Sequence, residues 1–296
     1  MATHSPDLAP AVRLQQRLVR LMLDATSALE GTPLLPLASA SVLEKWQKGL
    51  PAIRNEVIPI PSGLKDLLQP ICTALAEAGA GDSAGHIGDA IAARGIDADS
   101  LLGVSLARNQ KAIRTSALHM GFSPDLVWLI GELGSAPLAH YLSSSIVDRP
   151  SSIVHRPSSI DDRRSTIDDR WNRGYCPFCG SWPAFVEAHE RSHVLRCSYC
   201  AFGWSLSSHR CAYCGNAGDD FVEAAPDITQ RQRWIQMCGR CSGYTKVIGV
   251  DDPTPFPLLA IADLATMSLD QGAMDRGYRR PELFDLDTIE PRTSAC

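Results

Sequence analysis

Four short segments carry two cysteines at one separation: Cys176-Pro-Phe-Cys179, Cys197-Ser-Tyr-Cys200, Cys211-Ala-Tyr-Cys214 and Cys238-Gly-Arg-Cys241. Two intervening residues let a tight turn aim both sulfurs at one point, and two such turns supply the four-thiolate tetrahedron that zinc and iron accept. Eight thiols therefore make two sites. Seventeen residues lie between the first two pairs and 23 between the last two, enough in each case for a hairpin joining two metal turns, while only 10 lie between the second and third pairs. Consecutive pairing follows: Cys176, Cys179, Cys197 and Cys200 for one ion, and Cys211, Cys214, Cys238 and Cys241 for the other. A reducing compartment disfavours disulfides, and a thioredoxin-type redox pair is expected once beside a βαβ pattern, not four times among hairpins. The spacing does not choose between zinc and iron.

The remaining reactive side chains assign no chemistry. His189, His193 and His209 lie near the pairs, but eight thiols already fill two shells. Cys72, within Ile71-Cys-Thr-Ala-Leu75, reads as a buried small hydrophobe, and Cys296 as incidental. The chain has no Gly-rich phosphate loop and no His-Glu-x-x-His, so no residue is assigned as acid, base or nucleophile and a non-enzymatic protein is expected.

Positioning the thiols is the task of small β-ribbons. Ala184–His189 and His193–Arg196 flank a polar turn, and Phe221–Ala224 with Arg233–Met237 repeat the plan. Each ribbon is too short to bury much apolar surface, so bound metal must supply much of its stability. Gly180, Gly215 and Gly243 stand at or beyond pair ends, where a turn needs positive φ, whereas Ala201 follows Cys200 and predicts a less regular turn there. Leu258, Ile261, Leu264 and Leu269 then mark a helix flanked by Asp263 and Asp270.

The first half reads as helical. Ala11, Leu14, Leu18, Leu21 and Ala25 form one apolar stripe, Ser41-Val-Leu-Glu44 is a capping box opening a short helix through Trp46, and Asp99 can cap a segment running to Gly121. Ser123-Pro124 opens another helix, and the helical region extends to about Leu142. From Ser145 to Arg170 a seven-residue unit recurs, as in Ser145-Ile-Val-Asp-Arg-Pro-Ser151 and Ser152-Ile-Val-His-Arg-Pro-Ser158. Pro150 and Pro157 forbid a continuous coiled coil, so this tract reads as a linker. The expected layout is an α+β chain: a helical domain over 1–144, the linker over 145–170, metal modules over 171–205 and 206–252, and a C-terminal helix and tail over 253–296.

At 296 residues and net charge -5, the chain exceeds a single small module and lacks the basic excess of a strong nucleic-acid binder. Its apolar runs are too short to span a bilayer, and its start does not read as an export signal, so a soluble, cytoplasmic protein with no membrane partner is expected. A nucleic-acid-binding zinc ribbon is the reading from another class. Between Trp171 and Asp251, however, eight basic residues face seven acidic ones, leaving little to neutralise phosphates. Trp204, Tyr213 and Trp234 could stack bases, but such aromatics more often fill the cores of ribbons.

Cys176-Pro-Phe-Cys-Gly-Ser-Trp-Pro183, the three further pairs in this order, and Ala262-Asp-Leu-Ala265, Leu269-Asp270 and Gly277-Tyr278 together resemble the formate dehydrogenase accessory protein family, FdhE. The resemblance covers about Arg173 to Tyr278; the heptapeptide tract departs from the family pattern. It implies a cytoplasmic accessory factor with a helical region and two rubredoxin-like modules, required to form active formate dehydrogenase and binding its catalytic subunit. It also implies that the eight paired cysteines hold two ions, with iron a serious candidate beside zinc. A rubredoxin-like one-electron carrier to the client enzyme is a second reading, and homodimerisation is left open.

Overall fold

The computed structural model describes residues 9–30, 32, 37–147, 171–190, 192–206, 208–225 and 232–281. Of the linker expected over 145–170, residues 145–147 instead continue the last helix of the first half, which ends at Val147; 148–170 and the tail with Cys296 lie outside the described residues. The helices are α1 (Ala9–Leu29), α2 (Ser39–Gln47), α3 (Ser62–Asp66), α4 (Leu68–Leu75), α5 (Gly81–Ala92), α6 (Ala98–Leu106), α7 (Gln110–His119), α8 (Pro124–Val147), α9 (Leu258–Leu264) and α10 (Met267–Met274). The strands are β1 (Phe185–His189), β2 (Ser192–Arg196), β3 (Gly203–Trp204), β4 (Phe221–Ala224), β5 (Arg233–Cys238) and β6 (Gly243–Gly249). The chain divides into one compact unit of residues 1–34 and 56–141 and a second of residues 35–55 and 142–296.

The first unit is helical. Leu68, Ile71, Ile87, Leu102, Ile130 and Leu138 are fully buried and form its core. Cys72 is buried among them, and burial pushes its thiol up to about 11, the behaviour of a packing residue and not of a nucleophile. The single helix expected from Asp99 to Gly121 is two. Asp97, not Asp99, accepts from the Ser100 amide at 2.8 Å to start α6, and Asn109 accepts from the Ala112 amide at 3.1 Å to start α7. Between them Arg108 turns left-handed, at φ 58°, and sends its guanidinium onto Glu132 at 2.7 Å and over the Trp128 ring at 4.8 Å. Buried pairing of Arg108 thus outweighs helix continuity.

The second unit is built on one six-stranded sheet in the order β3-β2-β1-β6-β5-β4. Both expected hairpins are present: Val186 pairs antiparallel with Leu195, and Val222 with Met237. They are not separate ribbons. β6, which the sequence reading did not identify, pairs antiparallel with β5 and parallel with β1, placing Val247 beside both Trp234 and Val186. Six of its seven residues are buried, so it lacks the alternation of a half-exposed strand.

The helix expected after the sheet breaks at Ala265-Thr266. There the Thr266 hydroxyl donates to the Asp263 carbonyl at 2.9 Å, competing with continued helix. α9 buries Leu259 against Ala184, Phe185 and Ile248, while α10 packs Leu269 and Ala273 on Ile235, Met237 and Tyr244. α2 also belongs to this unit, and it begins at Ser39 behind an Ala38 N-cap with no side-chain cap. The Ser41/Glu44 box therefore lies inside the helix, where Glu44 pairs with Lys48 at 2.6 Å.

Candidate metal centres

Each cysteine pair is a tight turn ending in a left-handed residue: Gly180 at φ 83°, Ala201 at 61°, Gly215 at 72° and Ser242 at 53°. In the first three the amide of that residue donates to the carbonyl of the leading cysteine, at 2.9 Å from Gly180 to Cys176, from Ala201 to Cys197 and from Gly215 to Cys211. The turn at Cys200 is therefore as regular as its glycine counterparts, at a local cost of about 1 kcal/mol for a Cβ in this conformation. At the fourth pair Ser242, not Gly243, takes the left-handed position. Gly243 is instead needed for space, since a Cβ there would lie 2.7 Å from the Tyr213 ring and 3.1 Å from Cys241 Sγ.

The turns converge as consecutive pairs. Cys176, Cys179, Cys197 and Cys200 form one group of four sulfurs, and Cys211, Cys214, Cys238 and Cys241 the other. Sγ separations are 3.5 Å for Cys176–Cys200, 3.6 Å for Cys179–Cys197, 3.7 Å for Cys211–Cys241 and 3.6 Å for Cys214–Cys238. These are far beyond a disulfide bond of about 2.05 Å. They approach the edge of about 3.8 Å expected when four sulfurs surround an ion at about 2.3 Å. Both groups thus fit a tetrahedral thiophilic ion.

Electrostatics point the same way. Burial pushes the Cys176 and Cys200 thiols well above their ordinary range, and the neighbouring thiols add to it. Burial also raises Cys211 and Cys241, while Cys238, though raised by burial, is pulled down to about 7 by the Cys241 and Arg240 amides and the Cys214 thiol. Four clustered thiols in a dry site ionise only if a cation compensates them, which a divalent ion does.

The two centres are supported differently. Around the first, Trp46 Nε1 donates to the Pro177 carbonyl at 2.8 Å, the Ala52 and Ile53 amides donate to the Pro177 and Phe178 carbonyls, and the Ser143 hydroxyl donates to the Cys200 carbonyl at 2.7 Å. Every orphan carbonyl named here receives a donor. Behind it Arg196 pairs with the fully buried Glu187, whose other oxygen accepts from the Thr254 amide at 2.8 Å. Beside the second centre, the fully buried Lys246 reaches Asp263 at 2.9 Å and Asp270 at 2.7 Å, and Arg280 reaches the same two carboxylates at 2.7 and 3.0 Å. Tyr244 donates to Asp270 at 2.8 Å, and Tyr213 donates to the Tyr244 carbonyl at 3.0 Å. The sequence places Asp263 and Asp270 on the flanks of a helix, but nothing in its local pattern shows that Lys246 and Arg280 meet them.

The centres are bridged. Trp171, Tyr175, Trp182 and Tyr213 make successive edge-to-face contacts with centroids 5.2, 6.1 and 5.1 Å apart. Gly174 passes so close to the third turn that a Cβ would lie 1.6 Å from the Ala212 carbonyl oxygen. His189, His193 and His209 join neither sulfur group. They line a polar groove with Arg210 and Gln236. Trp204 is buried and donates to the Arg173 carbonyl at 3.1 Å, so it is a core residue and not a base-stacking platform.

Comparison with known proteins decides the kinship. No family model matches the chain. A protein from Aquifex aeolicus (strain VF5) named "Protein FdhE homolog" is 35% identical over 122 residues, covering 38% of this chain and 41% of that protein. One of the same name from Shewanella oneidensis is 33% identical over 107 residues, 35% of each chain. The FdhE protein from Pseudomonas aeruginosa shares the fold over 94% of this chain and 95% of its own, with a TM-score of 0.54 at 18% identity. The chain is thus an FdhE relative. Its matched sequence spans about two fifths or less of those curated FdhE homologues, while the FdhE fold extends over nearly the whole chain.

Proposed function

We propose that the chain is an accessory factor for formate dehydrogenase, required to form the active enzyme and binding its immature catalytic subunit. The observation that carries this reading is the pair of four-thiol centres held in one sheet within an FdhE fold. In this reading Cys176, Cys179, Cys197 and Cys200 hold one ion and Cys211, Cys214, Cys238 and Cys241 the other, as iron in rubredoxin-like coordination or as zinc. Bound ions supply rigidity: they fix four turns whose short strands bury too little to hold themselves. The client is bound by the sheet unit together with the helical unit, in the cytoplasm. No catalytic side chain is needed, because the protein acts on the assembly of another enzyme. Among the described residues no helix is long and apolar enough to cross a membrane.

The test is copurification of the full chain with formate dehydrogenase catalytic subunit, combined with formate oxidation in cells lacking the factor. The expected result is a recoverable complex and activity restored by the intact chain. A client that neither copurifies nor depends on the chain for activity overturns the proposal. Metal analysis with visible absorption on protein purified without added metal separates colourless zinc from red ferric thiolate.

A further inference from the structure

Within the metal-holding reading, we infer that the two centres have different tasks: the second is an exchange site, entered at the Cys214 corner by a small thiolate from solution, while the first is closed. At the first centre the four cysteines are 0%, 0%, 1% and 0% exposed. Cys211 and Cys238 of the second centre are also buried, at 3% and 0%, but Cys214 is exposed and Cys241 half-buried. Two adjacent corners of one tetrahedron therefore face outward.

The local chain explains the opening. The residues following Cys214 are exposed at Gly215 and again from Ala217 to Asp220, and Ser242 beyond Cys241 is exposed as well. A cleft lined by Tyr213, Cys214, Cys241, Gly243 and Arg279 reaches these two sulfurs. Arg280, in the same wall, is already held by Asp263 and Asp270, but Arg279 is exposed and presents a cation to an anionic ligand approaching the ion. At the first centre all four sulfurs belong to buried cysteines, and donors from Trp46, Ala52, Ile53 and Ser143 cover the turn carbonyls.

Exchange at the second centre is ligand substitution. With an ion held by the four thiols, Cys214 would be the ligand to give way: an incoming thiolate would take its place, and Cys214, released as a thiolate, would take a proton from water, leaving hydroxide. Replacement of Cys241, Cys211 and Cys238 in the same way would free the ion, with no electron moved. At the first centre the same attack must wait for local unfolding, which slows it by about a hundredfold or more.

The experiment uses the full chain loaded with two natural-abundance zinc ions, mixed with isotopically enriched zinc with or without glutathione, and followed by native mass spectrometry. One ion per chain is expected to exchange quickly, and faster with glutathione, while the other stays. Brief iodoacetamide treatment mapped by peptide mass spectrometry is expected to mark Cys214 before any cysteine of the first centre. Cys214→Ser is expected to leave a chain with one slowly exchanging ion. Two ions exchanging at one rate, exchange indifferent to glutathione, or early labelling of Cys176 to Cys200 would overturn the inference while leaving metal binding intact. A chain that takes up no ion at all defeats the metal reading itself.

Discussion

The two sulfur groups share a turn geometry and differ in what surrounds them. The first is dry and is wrapped by a segment more than a hundred positions earlier in the chain, with Trp46, Ala52 and Ile53 donating to its first turn. The second sits at the rim, with its strength behind it in the Lys246, Asp263, Asp270 and Arg280 lattice. Identical thiol groups joined through one sheet thus acquire different accessibility from their neighbours alone. Ligand spacing sets what can bind, and the surrounding chain sets how it is reached.

Breaking the first centre should have the largest effect. Structural thiolate sites supply about 10–16 kcal/mol, as much as the whole stability of an ordinary domain. Cys197→Ser is therefore expected to abolish amide-exchange protection throughout β1, β2 and β6 while the helical unit keeps its own, as hydrogen-exchange mass spectrometry would record. Severing the lattice comes next. Lys246→Met leaves two half-buried carboxylates with one cation fewer and should cost about 2 kcal/mol, read as a lowered denaturation midpoint of the sheet unit. If the midpoint does not move, the lattice is not what supports the second centre. Gly174→Ala, which forces a Cβ onto the Ala212 carbonyl, should cost about as much and disturb both sulfur groups together.

Smaller changes sharpen the contrast. Trp46→Phe removes one donor to the Pro177 carbonyl, which still accepts from the Ala52 amide at 2.9 Å, and should cost about 1 kcal/mol. Its diagnostic result is faster ion loss at the first centre with the second unchanged. Ala201→Gly relieves a left-handed Cβ and should raise the midpoint by about 0.5–1 kcal/mol, whereas Gly215→Ala should lower it by a similar amount. Opposite signs at matching positions would establish that the turns are equivalent.

The sequence made the ligand groups legible because their signal is local: two residues between cysteines, four times, with loop lengths that allow only neighbours to meet comfortably. Both hairpins were legible for the same reason, as short β-prone runs around a turn. β6 was not, because Gly243-Tyr-Thr-Lys-Val-Ile-Gly249 is central in the sheet and buries even its lysine. Nor could local pattern reveal that Trp46 serves the first centre or that Asp97 and Asn109 open separate helices, since those outcomes depend on distant carbonyls and on the burial of Arg108. Ala201 shows the converse: its residue type argued for an irregular turn, and the demands of the sulfur group overrode it.

The parallel seam between β1 and β6 has a consequence for synthesis. The ribosome delivers the first four cysteines and their hairpin well before Gly243–Gly249 emerges, so the inner edge of β1 stays unpaired during that interval. A nascent chain can gather its earlier sulfurs promptly, yet it cannot seal the sheet until Gly249 has been made. That delay leaves a sticky strand border on view, and closing the first four sulfurs around an ion would hold its hairpin in place meanwhile.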